Sequence, residues 1–405
     1  MDDRPNFTSL ASKPFVEMEV CQLTKDGQAA CGDDFQWSRS DGGNRHIAVL
    51  SDGLGSGIKA NLLANMTTTM ALRFIRSNMD LLTSAETIMD SLPVCDVRHI
   101  SYATFSIADL LVSTGRMKMI EMGNPGYIQL RGTEEIPPFA TRTLASSRWP
   151  DREMTISELK MLPGDRLIFC SDGVTQAGMG EVGCKFGWRR SGVLEYAQGL
   201  VRECPSISAK ELARAIVYQT LSFTPGRRCL DDTSCVVLYL RKPRMMRILT
   251  GPPFHKEDDS RFAALARPSD GMTIVVCGGT TANIIQRELK TQVDIDMRLV
   301  TSAGGLPPPG KMRGVGLATE GILTLTETVK RLEQHQLDGA PAAVMEILAA
   351  LEESDIIEFV VGTKVNEAHQ DPSLPVDLEI RRNIIRRFQS VLERDYRKQV
   401  LIQYL

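Results

Sequence analysis

The 405-residue sequence contains no C-x-x-C pair, no long apolar run and no excess of either charge. Its nine cysteines are Cys21, Cys31, Cys95, Cys170, Cys184, Cys204, Cys229, Cys235 and Cys277. An odd number without zinc-ligand spacing excludes a zinc ribbon and argues against a disulfide framework. Cys170 and Cys235 lie within apolar runs and read as buried packing residues. No stretch reaches the roughly 20 apolar residues that span a bilayer. The first residues, Met1 to Pro5, lack the apolar core of a secretory signal. Forty-seven Lys and Arg stand against 50 Asp and Glu, so the net charge is −3. A nucleic-acid binder is usually markedly basic over a domain. These absences predict a cytoplasmic protein that engages neither membrane nor nucleic acid.

The length and a 42% hydrophobic share predict two domains. Residues 15–24 (FVEMEVCQLT) alternate apolar and polar, the pattern of a strand. RHIAVLSD, from Arg45 to Asp52, reads as another strand and stops at a glycine-rich turn. Helical patterns follow over Ile58–Ser77 and Ser84–Leu92. Short strands then alternate with turns through YATFSIADL, GRMKMIEMG, YIQLRGTE and DRLIFCSDG. Helices are predicted at Gly192–Arg202 and Ser208–Leu221, and SCVVLYLRK reads as a fully buried strand. Strands grouped with helical pairs, without strict alternation, predict a layered α+β architecture. The basic, then Pro/Gly-rich, then acidic stretch after Arg241 reads as a boundary. The predicted division is a first domain over 1–244, a linker over 245–260 and a smaller, helix-rich α/β domain over 261–405.

Four aspartates sit where predicted strands end or turn. They are Asp33 in CGDDF, Asp52 in LSDGLGSG, Asp172 in FCSDGV and Asp231 in LDDTSCVV. A strand running into an aspartate delivers a carboxylate to a sheet edge, and a following glycine lets the backbone turn closely. Singly, each Asp-Gly reads as a turn. Together, converging carboxylates repel unless a hard cation such as Mg²⁺ or Mn²⁺ joins them. Two such ions would activate a water and clamp a phosphoryl oxygen.

The set CGDDF, HIAVLSDGLGSG, YATFSIADL, IEMGNPGY, LPGDRLIFCSDGV and DDTSCVVLYL resembles, in order and spacing, the PPM superfamily of metal-dependent protein phosphatases. Within it, the resemblance is to the bacterial stage II sporulation E (SpoIIE) branch, over about residues 15–240. It implies an αββα-layered β-sandwich and two Mn²⁺ or Mg²⁺ ions. It also implies that Asp52 bridges both ions with the Gly53 carbonyl, that Asp33 holds one, and that Asp172 and Asp231 hold the other. Asp34 and Asp232 stand beside Asp33 and Asp231 as alternative ligands. The activity implied is hydrolysis of phosphoserine or phosphothreonine on a partner protein by a metal-bridging hydroxide. In that branch the substrate is often an anti-sigma-factor antagonist within a signalling switch. Leu54 stands where eukaryotic relatives carry a histidine, so no general acid is assigned, and no phosphate-binding arginine is identifiable. His46 reads as an ordinary strand residue. By resemblance, residues 58–92 could act as a regulatory switch; the plainer reading is a packing helix pair.

The second domain resembles no family. Its VVCGGTTANIIQREL reads as strand, turn and helix. Gly278, Gly279, Thr280 and Thr281 there form a possible anion site, or Thr280 or Thr281 simply caps the helix. A non-catalytic PPM-fold scaffold, with this domain binding a phosphorylated ligand or a partner, is the alternative to an enzyme. A homodimer is possible. All four aspartate positions are filled, which favours catalysis.

Overall fold

The run TSCVVLYLR from Thr233 to Arg241 is buried along all nine residues, and in the computed structural model it lies inside a sheet covered on both faces. The structure describes residues 7, 10, 13–79, 81–91, 104–145, 153–181, 184–269, 271–295, 306–336, 338–364, 376–396 and 398–405. Leu92, the first residues of YATFSIADL and the start of the glycine- and proline-rich segment after Leu299 lie outside these. The chain divides into two units: Pro14–Lys242, and Met1–Lys13 together with Pro243–Leu405.

In the first unit the strands are β1 (Phe15–Leu23), β2 (Asp33–Ser40), β3 (Arg45–Asp52), β4 (Thr104–Leu111), β5 (Arg116–Met122), β6 (Ile128–Arg131), β7 (Glu134–Glu135), β8 (Ala140–Ala145), β9 (Glu153–Lys160), β10 (Asp165–Cys170) and β11 (Thr233–Arg241). Helices α1 (Ile58–Arg76) and α2 (Leu81–Ser91) follow β3. The short α3 (Asp172–Thr175), then α4 (Arg189–Glu203) and α5 (Ala209–Thr220), follow β10. One antiparallel sheet has the order β1-β11-β10-β6-β7 and the other β2-β3-β4-β5-β9-β8.

Alternation along the strands sorts their side chains into three layers. Val236, Leu238 and Leu240 of β11 face Ala48 and Leu50 of β3 and Ala108 and Leu110 of β4 between the sheets. The opposite faces pack outward. Cys235 and Val237 meet α4 and α5, while Ile47 and Val49 meet α1 and α2. Helix α5 starts where Ser208 accepts from the Glu211 amide and the Glu211 carboxylate returns to the Ser208 amide, a capping box. The result is the αββα-layered β-sandwich expected from the sequence.

The second unit holds β12 (Met245–Thr250), β13 (Met272–Cys277), β14 (Val293–Ile295), β15 (Gly310–Met312), β16 (Gly316–Thr319), β17 (Ile356–Val361) and β18 (Gln399–Tyr404) in the order β14-β15-β16-β13-β12-β17-β18. The five strands from β16 to β18 run parallel. Helices α6 (Asp259–Ala264) and α7 (Gly279–Leu289) cover one face. The other face carries α8 (Ile322–Gln334), α9 (Ala342–Glu353) and α10 (Val376–Arg394).

Two boundaries differ from the sequence reading. Residues 245–250, read as linker, form the central strand β12. Arg247 made the segment look basic, but its guanidinium is paired at 2.5 Å with the Glu358 carboxylate directly across the β12–β17 register. The described N-terminal residues Phe7 and Leu10 pack with Met245 and Ile356 in the second unit, not with the first.

Candidate metal centre

The β2–β3 register sets Asp33 directly opposite Asp52. Like charges at such a position, with Cβ atoms about 5 Å apart, destabilise a sheet. Strand parity points both into the layer between the sheets, in line with Phe35 and Leu50, which pack there. At this end of the sandwich the interlayer turns polar. Ser234 on β11 and Ser171 after β10 share parity with the core residues Val236 and Phe169. The Ser234 amide donates to Ser171 Oγ at 2.9 Å, and Gln22 Nε2 donates to Ser234 Oγ at 3.0 Å.

Asp172 and Asp231 come from the other sheet. Asp172 begins α3, and Gln176 Nε2 donates to its Oδ2 at 2.8 Å. Asp231 and Asp232 immediately precede β11. Glycines beside the aspartates let these loops close. A Cβ on Gly53 would fall 2.0 Å from the Ala60 carbonyl oxygen, and one on Gly173 would fall 2.1 Å from the Asp232 carbonyl oxygen.

The electrostatics report the crowding. Asp52 is pushed up to about 9, first by burial, then by the charges of Asp33 and Asp172 and by a proton it shares with Asp172. Asp33 is raised to about 7, chiefly by burial and further by Asp232 and Asp172. Asp172 is raised by burial and by Asp231. The Ser234 and Ser171 hydroxyls near Asp33 pull its value down, yet neither closes a hydrogen bond, and both Asp33 oxygens are buried without a partner. Asp33 is only 2% exposed.

The two paired choices separate by direction. Asp34 turns the opposite way from Asp33. It accepts from the Thr68 hydroxyl, from Asn65 and from Gln36, and so is spent on α1 and its own strand. Asp231 is half exposed and accepts from Lys25 Nζ at 3.5 Å. Asp232 is 5% exposed; its Oδ1 accepts from the Lys25 amide at 3.0 Å, and its Oδ2 is buried without a partner. Asp232 therefore joins the cluster alongside Asp231. Parity with Ser234 is the sequence signal for this, since positions 232, 234 and 236 share a strand face.

Among the described residues no three His, Cys, Asp or Glu side chains form a closed metal-ligand set. The carboxylates are gathered but not drawn onto one point. Partnerless, buried carboxylate oxygens on Asp33 and Asp232 are the condition a hard cation relieves, so the residues fit the group. His46 lies away from this chemistry, stacked on Trp37 with Nε2 3.1 Å from the Gly43 carbonyl oxygen. In the second unit, Gly278 takes φ 111° ahead of α7, Thr281 is buried, and no side chain caps the helix.

Residues 42–241 match the family model for Stage II sporulation protein E. The chain is 26% identical over 161 residues to Stage II sporulation protein E of Bacillus subtilis, a match covering 39% of this chain and 19% of that protein. The solved phosphatase domain of that protein, with a fragment of its regulatory domain, superposes with TM-score 0.46 at 18% identity. It covers 56% of this chain and 64% of that one. The RsbU and RsbW domains of a Mycobacterium tuberculosis protein give 0.46 at 17% identity, over 63% and 68% of the two chains. Residues 42–241 thus form a SpoIIE family domain, of the PPM phosphatase type.

Proposed function

We propose that the first unit is a metal-dependent protein serine/threonine phosphatase acting in a bacterial signalling switch. The observation that carries this reading is the buried, partnerless carboxylate of Asp33 opposite Asp52, with Asp172, Asp231 and Asp232 brought to the same end of the sandwich. Asp33, Asp52, Asp172 and Asp231 are the proposed ligands, with the Gly53 carbonyl beside Asp52. Asp232 is the added candidate. When bound, Mn²⁺ or Mg²⁺ ions would supply an activated water and charge to hold a phosphoryl group.

The chain's own contribution is placement. The β2–β3 register and the Gly53 turn fix Asp33 and Asp52, and the Ser171–Ser234 contacts fix the start of β11 against the end of β10. A phosphorylated protein, such as an anti-sigma-factor antagonist, is the proposed substrate. The test is Mn²⁺-dependent release of p-nitrophenol from p-nitrophenyl phosphate. Activity should vanish on chelation and in Asp52→Ala and Asp172→Ala. Turnover that survives both substitutions and chelation would remove the metal-dependent reading, and a parent with no Mn²⁺-dependent turnover would leave the non-catalytic scaffold in its place.

A further inference from the structure

Lys25 lies on the turn between β1 and β2, and four contacts tie this turn to the loop before β11. Its amide donates to Asp232 Oδ1 at 3.0 Å, and its ammonium reaches Asp231 Oδ1 at 3.5 Å. The next amide, Asp26, donates to the Cys229 carbonyl at 2.9 Å, and the Asp26 carboxylate pairs with Arg228 at 3.4 Å. The lysine is therefore held at the rim of the acidic cluster. Among the described residues, it makes the only ion pair recorded for Asp33, Asp52, Asp172, Asp231 or Asp232. Its side chain keeps 36% of its surface exposed. An ammonium carries three donors, and the recorded side-chain contact uses one.

A cation beside carboxylates can serve two ends. It can neutralise them, or it can meet an anion that arrives once they are occupied. Neutralisation is poorly placed here. The deeply buried, partnerless oxygens belong to Asp33 and Asp232, whereas Lys25 Nζ faces half-exposed Asp231. Charge relief is thus spent where water already provides it.

We propose that Lys25 is a substrate-binding residue that holds the phosphoryl group at the mouth of the cluster. The proposal rests on the phosphatase reading, for which it names the group that meets the substrate's charge. The experiment compares the parent protein with Lys25→Ala and Lys25→Arg, using inorganic phosphate as the probe. Phosphate affinity is read by thermal shift on Mn²⁺-loaded protein, Mn²⁺ affinity by calorimetry, and KM and kcat with p-nitrophenyl phosphate. Loss of a charge-assisted contact should weaken phosphate binding in Lys25→Ala by about 10- to 100-fold and raise KM in step. Mn²⁺ affinity should hold or tighten, and Lys25→Arg should restore most phosphate binding. Phosphate affinity unchanged in Lys25→Ala, or falling only with Mn²⁺ affinity, would overturn the assignment, as would a Mn²⁺-loaded parent indifferent to phosphate. A parent that binds phosphate through Lys25 but hydrolyses nothing would instead remove the phosphatase reading and leave the anion site standing.

Discussion

Replacing Asp33 by asparagine should stabilise the metal-free protein and abolish its response to Mn²⁺. The Asp33 carboxyl is buried, lacks a hydrogen-bond partner and is raised from 3.8 to about 7. A raised carboxyl favours the fold fully below its unfolded pKa, and that favour is lost as pH rises through the folded value. Each pH unit between the two costs about 1.4 kcal/mol, so the ceiling is roughly 4 kcal/mol above neutrality. Part of the rise comes from the neighbouring charges of Asp232 and Asp172, which lowers the gain from this one site, and a buried amide lacking an acceptor returns about 1–3 kcal/mol. A net gain of about 1–2 kcal/mol remains, or roughly 2–8 °C in melting temperature for a unit of this size. The gain should be absent near pH 4 and grow toward pH 7. Mn²⁺ at a hundredfold its Kd should stabilise the parent by about 2.7 kcal/mol and the variant far less. The assay is a thermal melt across pH, in chelator and in Mn²⁺. A variant less stable at every pH in chelator, or one that Mn²⁺ stabilises as fully as the parent, would refute the cluster's electrostatic account.

Gly53→Ala should lose about 1–3 kcal/mol by chemical denaturation, because its Cβ would meet the Ala60 carbonyl oxygen at 2.0 Å. Asp34→Asn should leave Mn²⁺ affinity by calorimetry within about twofold of the parent, since Asp34 is committed to Thr68 and Asn65 on α1. A loss as large as that of Asp52→Ala would place Asp34 in the cluster after all.

The first unit was legible because its strands carry their own punctuation. HIAVLSDG and LIFCSDG each end an apolar run at Asp-Gly, and a fully buried run such as β11 has no helical alternative of that length. Asp232 was harder to read. Two adjacent aspartates differ only in which face they take, and the face is fixed by counting back from Val236 once β11 is known to start at Thr233. Lys25 carried no signal, since Asp231 and Asp232, in the loop before β11 that pins it, lie 206 and 207 residues away in sequence. Strand β12 was masked by Arg247, whose charge is cancelled only by Glu358 on a strand over 100 residues later. Local pattern reports local structure; pairing across such separations enters only with the fold.

The division of the chain has a consequence for its biogenesis. The second unit is split, with Phe7 and Leu10 at one end of the sequence and their partners Met245 and Ile356 far beyond it. The intervening unit opens and closes on neighbouring strands, with Phe15 paired to Arg241. A ribosome delivering residues in order completes the inserted unit first, while the leading segment waits for partners not yet made. Because its two ends meet, the inserted unit can also be excised as one continuous piece without cutting a strand of either sheet.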